Sequence, residues 1–504
     1  MAHGSEDQLG KGLRQRHLAM IAIGGVIGAG LFVGSGAVIA EVGPAAFLTY
    51  ALTGVLIIMV MRMLGEMAAA DPATGSFADY ARKSLGGWAG FSVGWLYWYF
   101  WVIVVGFEAV AGAGILQRWV PLPLWLLSLI LMVLMTATNL YSVRSYGEFE
   151  YWFAGVKVAT IVIFIVLGTL FVFGLWPGKD MDFSNLTAHG GFFPNGVGAL
   201  FSGIVVVIFS MVGAEIATIA AAESDEPERA IVRATNSVVL RVIVFFVGSI
   251  FLLATLLPWN SAELGESPYV SAFEAMNIGF AAEVMNFVVL TAVLSCLNSG
   301  LYTASRMLFV LAARNEAPER LLTLNRKGVP MWAILFSTVV GFLCVIAAAV
   351  SPDRVFLFLL NSSGAIILFV YLLICLSQLR LRRMVPPERL VVKMWLYPVL
   401  TILTAAAIVG VLFAMGFSAD TRSQLLLSLL AWAVVLVVYA VRRRMIGDAH
   451  LSEQGLEAEK SADPWMHEHI SGTEMEVDAA VGEGPLSPDL IRRAREEGYA
   501  NEAP

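Results

Sequence analysis

Apolar residues in this chain gather into long unbroken runs, without the alternation of a half-buried strand or the one-in-three-or-four spacing of a surface helix. A helix needs about 20 apolar residues to cross the roughly 30 Å hydrocarbon core of a bilayer. About 12 stretches meet that length on a hydropathy scan. They are Leu18–Ile39, Ala45–Met67, Phe91–Gln117, Leu122–Leu140, Trp152–Phe173, Gly196–Ala221, Val238–Leu257, Ala281–Met307, Trp332–Val350, Phe356–Ser377, Trp395–Met415 and Leu425–Val441. The alternating segments of a transmembrane β-barrel are absent from the sequence. The pattern predicts an all-α polytopic membrane protein.

The polar segments between the runs add detail. Asp71–Gly90 is longer than a tight turn and predicts a short surface helix over Phe77–Ser84. The first twenty residues lack a short apolar core with a cleavage site, so the first run reads as a permanent membrane helix. From His450 onward the chain is polar and acidic, which predicts disorder. Within it, Ser487 followed by Pro488 is a helix-start signal. The chain therefore divides into a segment 1–17, a membrane domain 18–443 and an acidic tail 444–504.

Composition agrees. Mean hydropathy is +0.76, and only 14% of the 504 residues are charged, against about 25% in soluble domains. The net charge of −7 belongs to the tail, where acids exceed bases by about ten, so it implies no cationic partner and no nucleic acid. Lys and Arg favour alternate loops by about 23 to 4, which predicts that both termini are cytoplasmic. His3, His17, His189, His450, His467 and His469 all lie outside the runs, which argues against metal chemistry within the membrane. Cys296, Cys344 and Cys375 lie inside runs without metal-ligand spacing.

Two runs carry weak points. In the first, Gly24, Gly25, Gly28 and Gly30 fall within seven residues, each costing about 1 kcal/mol relative to Ala inside a helix. Such a cluster serves either close helix packing or an unwound stretch facing a ligand. In the sixth, Phe209-Ser210-Met211-Val212-Gly213 is followed two residues on by Glu215. The two runs are five apart, so they correspond in a fold of two five-helix repeats with inverted topology. A half-helix starting near Ala29 and Gly30 would offer N–H groups to a carboxylate. A half-helix ending near Phe209–Val212 would offer carbonyls to an ammonium. Together they suit a zwitterion.

Charged residues inside runs are costly and raise functional hypotheses. Glu108 lies about 13 Å from the outer end of its run at 1.5 Å per residue. It is either a proton-titratable, substrate-facing group or a hydrogen-bonded structural one. Lys157 lies about 9 Å from its inner end, where coupling and snorkelling both remain open. Glu215 either gates the cavity or anchors the broken backbone. Arg62 and Glu66, four residues apart, suggest a structural ion pair, and Arg306 an interfacial anchor.

The motifs resemble those of the amino acid transporter family within the amino acid–polyamine–organocation superfamily. The resemblance rests on Gly25-Val26-Ile27-Gly28-Ala29-Gly30-Leu31-Phe32-Val33-Gly34, on Gly213 to Ser224, on Thr74-Gly75-Ser76-Phe77, on Tyr146 to Glu150, and on Ser295 to Ser299 with Leu301 to Arg306. It spans roughly Leu13 to Arg443. Segments Ala221–Asp225, Ile231–Val238 and Met394–Pro398 are similar to the 4-aminobutyrate (GABA) permease subgroup.

The resemblance implies a five-plus-five inverted repeat with broken helices 1 and 6 and two further helices. It also implies proton-driven uptake of an amino acid across the plasma membrane, with no cofactor. By match to the family motifs, Val26, Ile27, Ala29 and Gly30 would hold the substrate carboxylate. Phe209, Ser210 and Val212, with Gly213 beside them, would hold the amino group, Phe209 as an aromatic gate. Lys157 would serve proton coupling, with Glu108 and Glu215 as further coupling or gating groups, and Cys296 would lie along the transport path. Gly300 stands where the family more usually has Ala. The expected function is a proton-coupled symporter for GABA or a similar small amino acid. The alternatives are an α-amino acid permease or exchanger, or a sensor that binds without transporting.

Overall fold

The computed structural model describes residues 27–70, 77–141, 143–213, 215, 227–265, 267–325, 329–386 and 390–446. Val26, the segment 1–17, most of the acidic tail with its Ser487 helix, and Glu223 therefore lie outside the described residues. Among those described, ten helices are long and apolar enough to cross a membrane, and two shorter apolar ones cover Ala29–Val42 and Ala199–Met211. Both short ones lie in the runs that the glycines mark as weak, and each lies close to residues outside the described set.

The chain begins with α1 (Ala29–Phe32) and α2 (Gly34–Val42), followed by α3 (Ala46–Ala70) and α4 (Phe77–Leu85), the predicted surface helix. Next come α5 (Gly87–Leu116), α6 (Leu124–Tyr141), α7 (Val143–Val172), α8 (Ala199–Ser202) and α9 (Ile204–Met211). Helix α10 (Pro227–Arg241) passes through a π-helical segment, Val242–Gly248, into α11 (Ser249–Leu256). The remainder is α12 (Pro268–Ala275), α13 (Gly279–Ala313), α14 (Met331–Val350), α15 (Pro352–Met384), α16 (Val399–Phe417) and α17 (Ala419–Ile446). Several observed helices extend beyond their apolar runs, because flanking polar residues continue the hydrogen-bonded ladder to the interface. Helix α13 is 35 residues long.

Burial sorts these helices into a centre and a periphery. Helix α5 buries 78% of its most apolar window and α17 only 22%. Helix α5 runs through the middle of the bundle, against α13, α14 and α15. In lipid, apolar side chains gain little by leaving the solvent, so close packing of small residues holds helices together. A Cβ on Gly364 of α15 would strike the Val205 carbonyl of α9, and one on Gly54 of α3 would strike Val242.

Charged residues at the end predicted to face the cytoplasm tie the helices together. Arg82 of α4 pairs with Glu316 at 2.7 Å, and Arg314 with Asp79 at 2.9 Å. Burial pushes the Glu316 carboxyl above its usual range, and the Arg82 guanidinium opposes that shift. The anticipated Arg62–Glu66 pair takes a different form. Glu66 accepts from Gln378 Nε2 at 2.7 Å, from Arg382 and from the Met394 amide. Arg62 instead donates to the Lys393 carbonyl at 2.9 Å and covers the Trp395 ring. A partner from another helix satisfies the buried carboxylate better than a neighbour one turn away on its own helix. We expect Glu66→Ala to cost near the low end of the roughly 3–5 kcal/mol for breaking a buried ion pair, since Arg382 keeps some exposure. The check is a clearly lowered Tm of the purified protein in detergent.

Candidate substrate site

At the position of the first expected break, helix α1 starts just after Gly28, an extended residue (φ −138°, ψ −156°) that caps it. Its position explains the glycine. A Cβ there would sit 2.6 Å from Glu108 Oε1 and 2.9 Å from Cys296 Sγ. The Ala29 amide, left without an intrahelical partner, donates to both oxygens of Glu108 at 3.2 Å. Glu108, on α5 and 1% exposed, thus holds the amide that the sequence assigns to a substrate carboxylate.

The second break follows Met211, the last residue of α9. Val212 is extended (φ −65°, ψ 150°) and Gly213 adopts φ +102°, a conformation that side-chain-bearing residues rarely take. The freed Gly213 amide donates to Glu215 Oε2 at 3.0 Å. Glu215 also accepts from Tyr97 of α5 at 3.1 Å and Tyr371 of α15 at 3.4 Å. Of its two sequence readings, the backbone anchor is therefore realised in this geometry, and the tyrosines place the same carboxylate between α5 and α15.

The two breaks meet. Ser210 Oγ donates to the Gly30 carbonyl at 2.7 Å, and a Cβ on Gly30 would lie 2.9 Å from Ser210 Cα. Between them is a buried cavity of about 20 Å³, lined by Gly28, Gly30, Glu108, Phe209, Ser210, Val212 and Cys296 together with Phe100, Trp101 and Val104. That is room for about one water molecule, so this conformation is closed around the site. The Phe209 ring is part of that lining and stands edge-on to Phe107 at 4.7 Å between centroids.

Ile27 is buried in the core beside the cap, and Gly213 lies just beyond the lining. Lys157 is elsewhere. It is fully buried on α7 and donates to Ser295 Oγ at 2.9 Å. Ser295 and Cys296 are neighbours on α13, so one faces Lys157 while the other lines the cavity. Sequence reasoning missed Phe100, Trp101 and Val104. Their signal was available, because Phe100, Val104 and Glu108 recur every four residues and share one helix face. Gly300 also gains an explanation. A Cβ there would press on Val105 Cγ2 at 3.1 Å and the Trp101 ring at 3.3 Å.

A bundle of membrane-length helices with two interrupted ones meeting at a buried polar point is the architecture of an inverted-repeat secondary transporter. The amino acid permease family model matches residues 17–448, and this chain belongs to that family. It is 55% identical over 445 residues to the gamma-aminobutyric acid permease of Bacillus subtilis (strain 168), covering 87% of this chain and 95% of the relative. It is 48% identical over 442 residues to the gamma-aminobutyric acid permease of Escherichia coli (strain K12), covering 86% and 95%. A manganese transporter of Eremococcus coleocola shares the fold, with TM-score 0.50 and 14% identity over 86% of this chain and 93% of that one. The fold is thus the five-plus-five inverted repeat with two further helices, and the protein is a multi-pass membrane permease for amino acids.

The break at Gly213 depends on its positive φ. Gly213→Ala is expected to cost about 1–3 kcal/mol of backbone strain, seen as a Tm lowered by several degrees. An unchanged Tm would show that the chain can break elsewhere.

Proposed function

We propose that this protein is a proton-coupled symporter that takes up GABA or a similarly small amino acid across the plasma membrane, with both termini cytoplasmic. The observation that carries the reading is the meeting of the two helix breaks, with Glu108 on the Ala29 amide at one side and Ser210 bridging to Gly30 at the other. A substrate carboxylate would replace Glu108 on the amides of Ala29 and Gly30, with Val26 and Ile27 assigned to the same end of the substrate. The substrate ammonium would meet the carbonyl end of α9 at Phe209, Ser210 and Val212, and the released Glu108 carboxylate would add its charge. Phe209 would swing away from Phe107 to admit the substrate, and Cys296 would line its path. The names of the relatives support GABA as substrate.

Coupling is assigned to Lys157 and Glu108, since buried ionisable groups in a span must be paired or titrate. Glu215, held by two tyrosines and the Gly213 amide, would gate the side toward the cytoplasm. The proton gradient is the energy source, and no cofactor is needed.

Reconstituted into liposomes with the membrane potential clamped at zero, the protein should accumulate labelled GABA about tenfold per inward pH unit for one proton per substrate, since tenfold corresponds to about 1.4 kcal/mol. Competition by the common amino acids ranks the substrates. Uptake that ignores the gradient and requires internal amino acid would make the protein an exchanger.

Lys157→Ala should bind GABA but fail to accumulate it, and wild-type accumulation in that variant would remove Lys157 from the mechanism. Gly30→Val should abolish GABA binding, because its side chain meets the backbone of α9. Retained affinity would contradict the carboxylate assignment.

A further inference from the structure

Lys157 shares its burial with a second charge that the substrate site does not use. Glu150 lies on α7 seven residues earlier, two turns along the same face, and is 1% exposed. The ammonium and the carboxylate do not meet directly, standing 3.8 Å apart. Ser295 of α13 links them. Lys157 Nζ donates to Ser295 Oγ at 2.9 Å, and Ser295 Oγ donates to the Glu150 oxygens at 2.7 Å. These two bonds run in one direction, from the lysine through the hydroxyl to the carboxylate.

The two ends of this link face different surroundings. Glu150 and Ser295 both line a cavity of about 640 Å³ between α6, α7, α13 and α14. Lys157 and Glu108 are not among its lining residues. Tyr141, which is 69% exposed, lines one end of the cavity, the end predicted to be cytoplasmic. Its polar wall includes an Asn139–Asn298 hydrogen bond of 2.7 Å and Arg306 stacked over Tyr302. The titratable and charged groups around Glu150 among the described side chains are thus Lys157 on its own helix, Arg306, Tyr302 and Cys296 on α13, Tyr141 on α6, and Glu108 on α5 behind Cys296.

We propose that Glu150 is the outlet of the coupling proton, receiving it from Lys157 through the Ser295 hydroxyl and releasing it into the cavity between α6, α7, α13 and α14. The inference rests on the symport reading above and adds the route by which the lysine discharges. In the step, one N–H bond of the Lys157 ammonium breaks and its proton joins Ser295 Oγ. The hydroxyl proton of Ser295 moves at the same time to a Glu150 oxygen. The pair becomes a neutral amine and a neutral carboxylic acid, so its net charge stays zero and neither group is left as an unpaired buried charge by the transfer. Glu150 then gives its proton to water in the cavity, the hydroxyl rotates back, and the neutral lysine takes the next proton from the opposite side.

The test compares wild-type protein with Glu150→Gln and Ser295→Ala in liposomes, by two assays with labelled GABA. One is accumulation driven by an inward pH gradient. The other is self-exchange at equal GABA on both sides, which needs no deprotonation. Glu150→Gln keeps the hydrogen-bond acceptor for Ser295 but cannot carry the proton. It should lose the about tenfold accumulation that one pH unit supports, while exchange and its KM stay near the wild-type values. Glu150→Asp should restore part of the accumulation. Ser295→Ala, which leaves both charges in place, should show the same split. Full accumulation in either Glu150→Gln or Ser295→Ala overturns the outlet. So does loss of exchange together with accumulation in folded, monodisperse Glu150→Gln, because the residue is then scaffold. A wild-type protein that exchanges GABA but ignores the gradient brings down the symport reading and the outlet with it. Coupled wild type with coupled Glu150→Gln brings down the outlet alone.

Discussion

A helix that stops within a bilayer exposes backbone groups where no water can reach them, and each unsatisfied group costs several kcal/mol. The architecture of this permease follows from how those groups are met. At the first break, a carboxylate from another helix takes the Ala29 amide. At the second, Glu215 takes the Gly213 amide and is itself held by two tyrosines. Between them, Ser210 supplies a hydroxyl to the Gly30 carbonyl. Each partner is a polar side chain, Glu108 and the two tyrosines coming from long continuous helices and Ser210 and Glu215 from either side of the second break.

Helix α5 is the chief of those continuous helices. It supplies Glu108 to the first break and Tyr97 to the carboxylate of the second. The two residues are three turns apart, about 16 Å along the axis. Its Phe100 and Phe107 flank the Phe209 ring that lines the cavity. One helix thus touches both helix breaks and the Phe209 ring, and it is also the most deeply buried span along with α15. Helix α13 has the complementary task. Cys296 faces the cavity and Ser295 faces the Lys157–Glu150 pair, so adjacent residues connect the closed site to the buried charges.

Helix-breaking glycines are legible in sequence because they interrupt runs of larger apolar residues. Gly213 is needed for its φ, and Gly28 for the space its missing Cβ leaves to Glu108 and Cys296. Both positions stood out from spacing alone. The partners of charged side chains were less legible. Arg62 and Glu66 are four apart, yet Glu66 is met by Gln378 and Arg382, more than 300 positions away. Lys157 stood out as an isolated charge, whereas Glu150 did not, because it sits near the start of its span among polar neighbours.

By itself, then, the sequence determined that the chain crosses a membrane, how many times, where two crossings break and which residues flank the breaks. These follow from run length and glycine placement, which are properties of consecutive residues. Only the tertiary structure decided that Glu108 sits on the Ala29 amide, that Ser210 closes onto Gly30, that Trp101 fills the room left by Gly300, and that Ser295 joins Lys157 to Glu150. Each of those contacts is set by how separate helices pack. In lipid, nearly every helix face is apolar, so hydrophobic patterning carries little information about which faces meet.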